Sequence, residues 1–175
     1  MRESLKKAVA ILALAVIMAT FCFLSGGSRY VTVRERDTGK LIAYYPASER
    51  ERFSVSFIHS VNRTPVTDVY EIEDGHVFVE ECIYYGFGAG VQSELNPGEE
   101  LAKTPDGGML ISGIHQNRDN VGYIVGTVYD HVLNINGENI SLRDLCGRNS
   151  AIRINYEKLY RKENRNDRHC KKRCG

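Results

Sequence analysis

Hydrophobic and polar residues alternate along most of the chain after Ser28, and no segment there has a sustained helical period. In 52–61, for example, every second residue is apolar or a histidine. Alternation of this kind predicts half-buried β-strands. The dipeptides Asp74-Gly75 and Asn136-Gly137 predict tight hairpin turns between strands. The pattern therefore predicts an all-β fold of about nine short antiparallel strands, arranged as a β-sandwich or an open barrel.

Three segments refine this prediction. Residues 121–128 are predicted to form one strand, whereas the glycine-rich residues 86–108 are predicted to form a long connection. Residues 141–144 predict the start of one short helical turn, which Gly147 ends.

The beginning of the chain has a different pattern. Residues 8–28 carry no charged side chain, and Arg2, Lys6 and Lys7 precede them. An apolar run of this length is typical of a helix that crosses a membrane, and basic residues before it keep that end in the cytoplasm. We therefore expect one N-terminal hydrophobic helix, a single-pass position in the cell membrane, and a domain outside the cytoplasm.

A cleaved signal peptide is the alternative interpretation. The small residues Ser25, Gly26 and Gly27 permit cleavage near Gly27, which would leave a secreted or periplasmic domain. The apolar run is longer than the 7–15 residues typical of a signal peptide, so we favour the retained anchor.

The net charge of +1 conceals three segments of different character. Residues 1–27 form the signal peptide or anchor and are basic. Residues 28–156 form the predicted β-domain and carry 12 bases and 18 acids. Residues 157–175 form a basic tail, predicted to be mobile, with eight bases and three acids. A domain that binds nucleic acid needs a basic face, so the acidic domain argues against that class of partner.

Two runs of residues are distinctive. The first extends from Phe57 to Tyr70 (FIHSVNRTPVTDVY), and the second is Phe87-Gly88-Ala89-Gly90. Together they resemble the bacterial and archaeal family called domain of unknown function 1850. This chain has Asp68 where the family usually has Glu.

The resemblance implies a genomic setting and no chemistry. Members of the family are often encoded beside subunits of TRAP-type transporters (tripartite, dependent on a periplasmic binding protein) of the TAXI class. Our leading hypothesis is therefore an accessory or ligand-sensing module, without enzymatic activity, that works with TRAP-type transporter subunits.

The pattern of alternation assigns three polar residues to core-facing positions, namely His59, Asp68 and His131. Buried polar groups need partners, so a hydrogen-bonded structural cluster, or a histidine at a strand end, is the interpretation we favour. The alternative is a small-ligand or metal site, because imidazole and carboxylate groups suit Zn²⁺. Further ligand-binding candidates are Tyr70, Phe87, Gly88 and Gly90.

Two other functions receive less support from the sequence. Ser60 follows His59, but neighbouring strand residues point to opposite faces, and no G-x-S-x-G motif is present, so a hydrolase is the weakest hypothesis. Gly86 to Gly90 lacks the spacing of a phosphate-binding loop, and no cofactor is expected.

The cysteines leave alternatives open. Cys82, Cys146, Cys170 and Cys174 lie on the exported side and allow three complete disulfide pairings. An oxidising exterior favours disulfide bonds, whereas in an anaerobe the thiols stay reduced.

Overall fold

The computed structural model describes residues 29–86 and 94–159, and their secondary structure is almost entirely β. The strands are β1 (Arg29–Glu35), β2 (Leu41–Pro46), β3 (Arg52–Ile58), β4 (Pro65–Glu73), β5 (His76–Tyr84), β6 (Glu100–Lys103), β7 (Met109–Asn117), β8 (Val121–Ile124), β9 (His131–Ile135), β10 (Glu138–Ser141) and β11 (Ala151–Lys158). One short helix, α1 (Leu142–Cys146), precedes the last strand.

The strands form two antiparallel sheets that pack as a sandwich. The small sheet has the order β2-β1-β11-β8, and the large sheet has the order β10-β9-β3-β4-β5-β7-β6. Because neither sheet closes on itself, the fold is a sandwich and not a closed barrel. The all-β prediction is therefore confirmed.

The core lies between the two sheets and follows from the alternation in the sequence. Val31 and Val33 of β1 and Ile154 of β11 point inward from the small sheet and are fully buried. Val55 and Leu133 meet them from the large sheet and are also fully buried. Each such side chain contributes about 1.5–3 kcal/mol through burial, and this contribution holds the two sheets together.

Several predicted boundaries were wrong. Strand β3 ends at Ile58, because residues 59–64 form a turn in which the His59 N–H donates to Thr64 O at 2.9 Å. The strand predicted over 121–128 ends at Ile124. The long connection contains an additional strand, β6, and all four residues of that strand are exposed. An exposed edge strand of four residues has no alternating pattern from which to predict it.

The short helix was predicted correctly. The Ser141 side chain caps its first turn by accepting the backbone N–H of Asp144 at 3.0 Å. Gly147 ends it, with a φ of 89° that favours glycine, and donates its N–H to Arg143 O.

The two ends of the sandwich differ in what they carry. Arg29 and Lys158 are paired across β1 and β11, and the Arg29 guanidinium donates to Gly75 O in the β4–β5 turn. We call this the terminal end. The opposite end, which we call the loop end, carries the turns 59–64 and 104–108 and the loop 125–130. The nine residues of β4 connect the two ends, which places them roughly 30 Å apart.

Several predictions concern residues that the structure does not describe. The expected N-terminal helix over 8–28 and nearly all of the basic tail belong to this group. The last strand, β11, ends at Lys158, two residues beyond the domain boundary expected at residue 156. Within 29–86 and 94–159, no helix is long and apolar enough to cross a membrane.

Candidate functional site

A buried hydrogen-bonded chain of three side chains crosses the sandwich near the loop end. Asp68 lies on the inner face of β4, opposite Val55 of β3. Tyr123 of β8 reaches it from the small sheet and donates its hydroxyl to Asp68 Oδ2 at 2.8 Å. The Tyr123 hydroxyl has one hydrogen, so its 2.6 Å contact with the Tyr70 hydroxyl places Tyr70 as the donor. The chain therefore runs from Tyr70 through Tyr123 to the carboxylate.

Burial shifts the titration of every member of this chain. It raises the pKa of Asp68, although hydrogen bonds from Tyr123 and from the Cys82 thiol oppose that shift. Burial also raises the pKa of Cys82 to about 12, so the thiol stays protonated and remains a donor. Burial raises the pKa of Tyr70, and the Asp68 carboxylate adds to that shift. Burial also raises the pKa of Tyr123, and then Tyr70 and Asp68 raise it further. Asp68 is thus an acid in a partly desolvated site, surrounded by neutral donors.

His131 lies beside this chain within a cluster of rings. Its imidazole stacks on Phe57, with 5.0 Å between ring centroids, and meets Tyr123 edge-on at 5.6 Å. The Gly126 N–H donates to His131 Nδ1 at 3.2 Å, which places the ring proton of the neutral imidazole on Nε2. Burial lowers the pKa of His131, an effect that Asp130 opposes. The ring is therefore neutral at neutral pH.

Asp130 explains why His131 is held in this position. One of its carboxylate oxygens accepts the N–H of His131 at 2.7 Å and the N–H of Arg143 at 3.0 Å. The other accepts the Ser141 hydroxyl at 2.6 Å. These bonds tie the start of β9 to the start of the helix and fix the loop 125–130.

His59 does not join the site. The alternation placed it on the core-facing side of a strand, which was wrong, because it lies in the turn that follows β3. This position agrees with the interpretation of a histidine at a strand end. There its Nδ1 accepts the N–H of Asn62 at 3.4 Å. Among the described residues, no hydrogen bond or ring contact connects His59 with Asp68 or His131. The structure therefore brings together two of the three candidate polar residues, and Tyr123 contacts both of them.

The remaining candidates have different outcomes. Tyr70 belongs to the hydrogen-bonded chain, whereas Phe87, Gly88 and Gly90 lie outside the described residues. Within 29–86 and 94–159, no three His, Cys, Asp or Glu side chains are placed to hold a metal ion. The neighbour of Asp68 on β5, Cys82, is a free thiol. Cys170 and Cys174 also lie outside the described residues.

Tyr123 was not among the residues predicted for the site. The apolar alternation of Val121, Tyr123 and Val125 was a sign that all three point inward. The sequence could not show that Tyr123 bonds to Asp68, because Asp68 lies on the other sheet and 55 residues earlier in the chain.

Several apolar side chains at the loop end are exposed to solvent. Val61, Tyr85, Val128 and Tyr129 stand on the turns and loop there and are 68%, 37%, 73% and 42% exposed. Exposed apolar side chains that cluster at one end of a domain are typical of an interaction surface. The loop end therefore combines a buried polar cluster with an apolar rim.

The matched family covers this region of the chain. A sequence profile described as "Domain of unknown function (DUF1850)" matches residues 53–142. The chain belongs to the DUF1850 family. The resemblance seen in the sequence is thereby confirmed. No curated protein and no solved structure matches the chain at a significant level.

The DUF1850 match covers much more of the large sheet than of the small sheet. It includes nearly all of the large sheet and, from the small sheet, strand β8 alone. Asp68, Tyr123 and His131 all lie within the DUF1850 segment. Strands β1, β2 and β11, which complete the core, lie outside it.

Proposed function

We propose that this DUF1850 protein is an extracytoplasmic accessory or ligand-sensing module of a TRAP-type solute transporter, held at the membrane by residues 8–28. The observation that carries this proposal is the position of the two ends of the domain. Arg29 follows the anchor directly, and it is paired with Lys158 at the terminal end. A domain attached there presents its loop end away from the membrane, roughly 30 Å further out.

The loop end has the properties that a contact with another protein requires. Its exposed Val128 and Tyr129 gain from burial against a partner, at about 25 cal/mol for each Å² of apolar surface. The loop that carries them is held by Asp130, so little conformational freedom is lost on binding. We therefore expect transporter subunits to dock at the loop end.

Site-specific crosslinking tests this proposal. A photoreactive amino acid replaces Val128 at the loop end in one variant of the full chain and Asp74 at the terminal end in another. Both variants are produced with the transporter's membrane subunits and its binding protein. We expect crosslinks to one of these subunits from position 128 and none from position 74. Equal labelling from both positions, or none from either, would contradict the proposal.

A second candidate function is the binding of a small ligand at Asp68 and His131. The observation that favours it is the mixture of donors and acceptors beneath Phe57, where Asp68 accepts and His131 Nε2 donates. Because the domain is acidic overall, it attracts cationic solutes more than anionic ones. No resident metal is part of this proposal.

Thermal unfolding of the full chain with each solute that the transporter carries tests this second function. A bound solute should raise the unfolding temperature of the wild type but not of Asp68→Asn. The exposed acid Asp144 serves as the control, because Asp144→Asn should respond as the wild type does. A shift that survives in Asp68→Asn would exclude this site.

A further inference from the structure

The outer face of the small sheet carries a hollow whose lining does not include Asp68, Tyr123 or His131. It is open to solvent and encloses about 440 Å³ beside β1 and β11. Its charged and amide-bearing lining residues are Arg34, Asn120, Arg153, Asn155, Glu157 and Lys158. All of these except Asn120 lie outside the DUF1850 segment. The hollow is therefore a feature of the strands by which this chain completes its sandwich.

The lining of the hollow is rich in positive charge, although the domain as a whole is acidic. It has three cationic side chains and one carboxylate, that of Glu157. The carboxylate is already engaged, because its Oε1 accepts the Thr32 hydroxyl at 2.6 Å and Arg34 Nε at 2.6 Å. Glu157 balances the charge of Arg34, so Arg153 and Lys158 carry the positive charges of the hollow that no lining carboxylate balances.

Arg153 is the residue whose surroundings point to an anion. Its Nε is buried and makes no hydrogen bond with any residue that the structure describes. Arg34 and Arg153 are also direct cross-strand partners on this face. Glu157 balances the charge of Arg34 at 2.6 Å, whereas Arg153 forms no ion pair with any residue that the structure describes. A buried guanidinium nitrogen without an acceptor is costly because it has lost its hydration, and an anion bound at Arg153 would restore an acceptor.

Glycine leaves room around this guanidinium. Gly39, in the β1–β2 turn, has a φ of +71°, and a Cβ there would come within 3.1 Å of Arg153 Nη2. On the other side, Arg153 is paired with Gly122 of β8, and Arg36 Nη2 lies 3.2 Å from where a Cβ of residue 122 would stand. The Arg153 guanidinium therefore lies between the β1–β2 turn and Arg36, and it faces the solvent-open hollow that it lines.

We propose that this hollow binds a small oxyanion, either a phosphate or a carboxylate, with Arg153 as its main ligand. Guanidinium groups bind both kinds of oxyanion through paired, charge-assisted hydrogen bonds. The side-chain amides of Asn120 and Asn155 supply further donors, and Lys158 adds charge at the rim. The site does not depend on the function proposed for the loop end.

Anion titration of the full chain in detergent tests the proposal. The probes are inorganic phosphate and succinate, each added at constant ionic strength with chloride as the reference. Isothermal titration calorimetry gives the affinity, and thermal unfolding gives an independent reading. We expect the wild type to bind at least one of the two probes, and the comparison between them identifies the preferred anion.

Four variants make the result specific. Arg153→Gln should weaken binding by roughly tenfold or more, since it removes a charged donor. Lys158→Gln, at an exposed position, should weaken binding by several fold without affecting folding. Glu157→Gln should tighten binding, because it removes the competing negative charge. Arg148→Gln is the matched control, because this exposed arginine lies outside the hollow and should leave the affinity unchanged.

Two results would overturn the anion site. The first is a wild type that binds neither probe. The second is equal affinity in wild type, Lys158→Gln and Glu157→Gln, which would place any binding elsewhere on the protein even if Arg153→Gln failed to fold.

Discussion

Tyr123 of the small sheet donates its hydroxyl hydrogen to Asp68 of the large sheet, and this bond of 2.8 Å crosses the core of the sandwich. The same hydroxyl accepts from Tyr70 at 2.6 Å. One phenol oxygen thus adds a donor to Asp68, which the Cys82 thiol also reaches, and supplies the acceptor for the buried Tyr70 hydroxyl. This contact links β8, an edge strand of four residues that pairs with β11, to the large sheet.

The first prediction concerns the hydroxyl of Tyr123. In Tyr123→Phe the ring stays, but Asp68 loses a donor and Tyr70 loses an acceptor. We expect the free energy of unfolding to fall by about 1–3 kcal/mol. Denaturant unfolding of the full chain measures this change. Tyr129→Phe is the control, since that side chain is on the exposed rim and its loss should cost less than about 0.5 kcal/mol. Equal stability of the two variants would argue against the buried chain.

The second prediction concerns the pH dependence of stability. Because burial raises the pKa of Asp68, the folded protein holds this proton more tightly than the unfolded chain does. The resulting stabilisation is full below about pH 3.9, the usual Asp value, and is lost as the pH rises through the raised pKa. We therefore expect the stability of the wild type to decline relative to Asp68→Asn over that window.

A carboxylate of opposite behaviour provides the control for this pH experiment. Hydrogen bonding from Arg52 lowers the pKa of Glu71, so its contribution is present above the usual Glu pKa and is lost as the pH falls. The free energy of unfolding of the wild type minus that of Glu71→Gln should therefore increase with pH. The same difference for Asp68→Asn should decrease with pH. Two curves with the same slope would show that Asp68 is not desolvated.

The third prediction compares two histidines in one NMR titration. Burial lowers the pKa of His131, whereas hydrogen bonding to Glu80 raises the pKa of His115. The Cε1–H resonances should titrate on opposite sides of about 6.5, the usual value. By linkage, the stability that depends on neutral His131 is present above that pH and is lost as the pH falls through its lowered pKa. A pKa of His131 above that of His115 would contradict the placement of His131 in the ring cluster.

The fourth prediction concerns Gly126, whose N–H donates to His131. A Cβ at this position would overlap the carbonyl oxygen of Tyr129, which is backbone and has little room to move. We expect Gly126→Ala to lower the free energy of unfolding by about 1–3 kcal/mol and to disturb the imidazole resonances of His131. Gly122→Ala is the matched control. Its Cβ would meet the flexible end of Arg36 at 3.2 Å and would touch the backbone oxygen of Asn120 at an ordinary 3.9 Å, so the cost should be smaller.

Local patterns in the sequence determined much of the fold. Strands β3 and β8 begin at the predicted residues, Arg52 and Val121, because inward and outward positions alternate regularly along them. The N-cap at Ser141 and the end of the short helix at Gly147 were also predicted, since both depend on residue types within a few positions of each other. The inward direction of Asp68 and His131 was correctly predicted from the same alternation.

Only the tertiary structure decided how these positions meet. The length of β3 depends on the turn that starts at His59, so a regular alternation extended the predicted strand too far and placed that histidine wrongly. Tyr123 and Asp68 come from different sheets, and no local pattern can show which strands of two sheets face one another. The hollow at Arg153 arises in the same way, from the register that pairs β11 with β1 and β8. Local periodicity thus set which side chains turn inward, and the packing of the two sheets determined their partners.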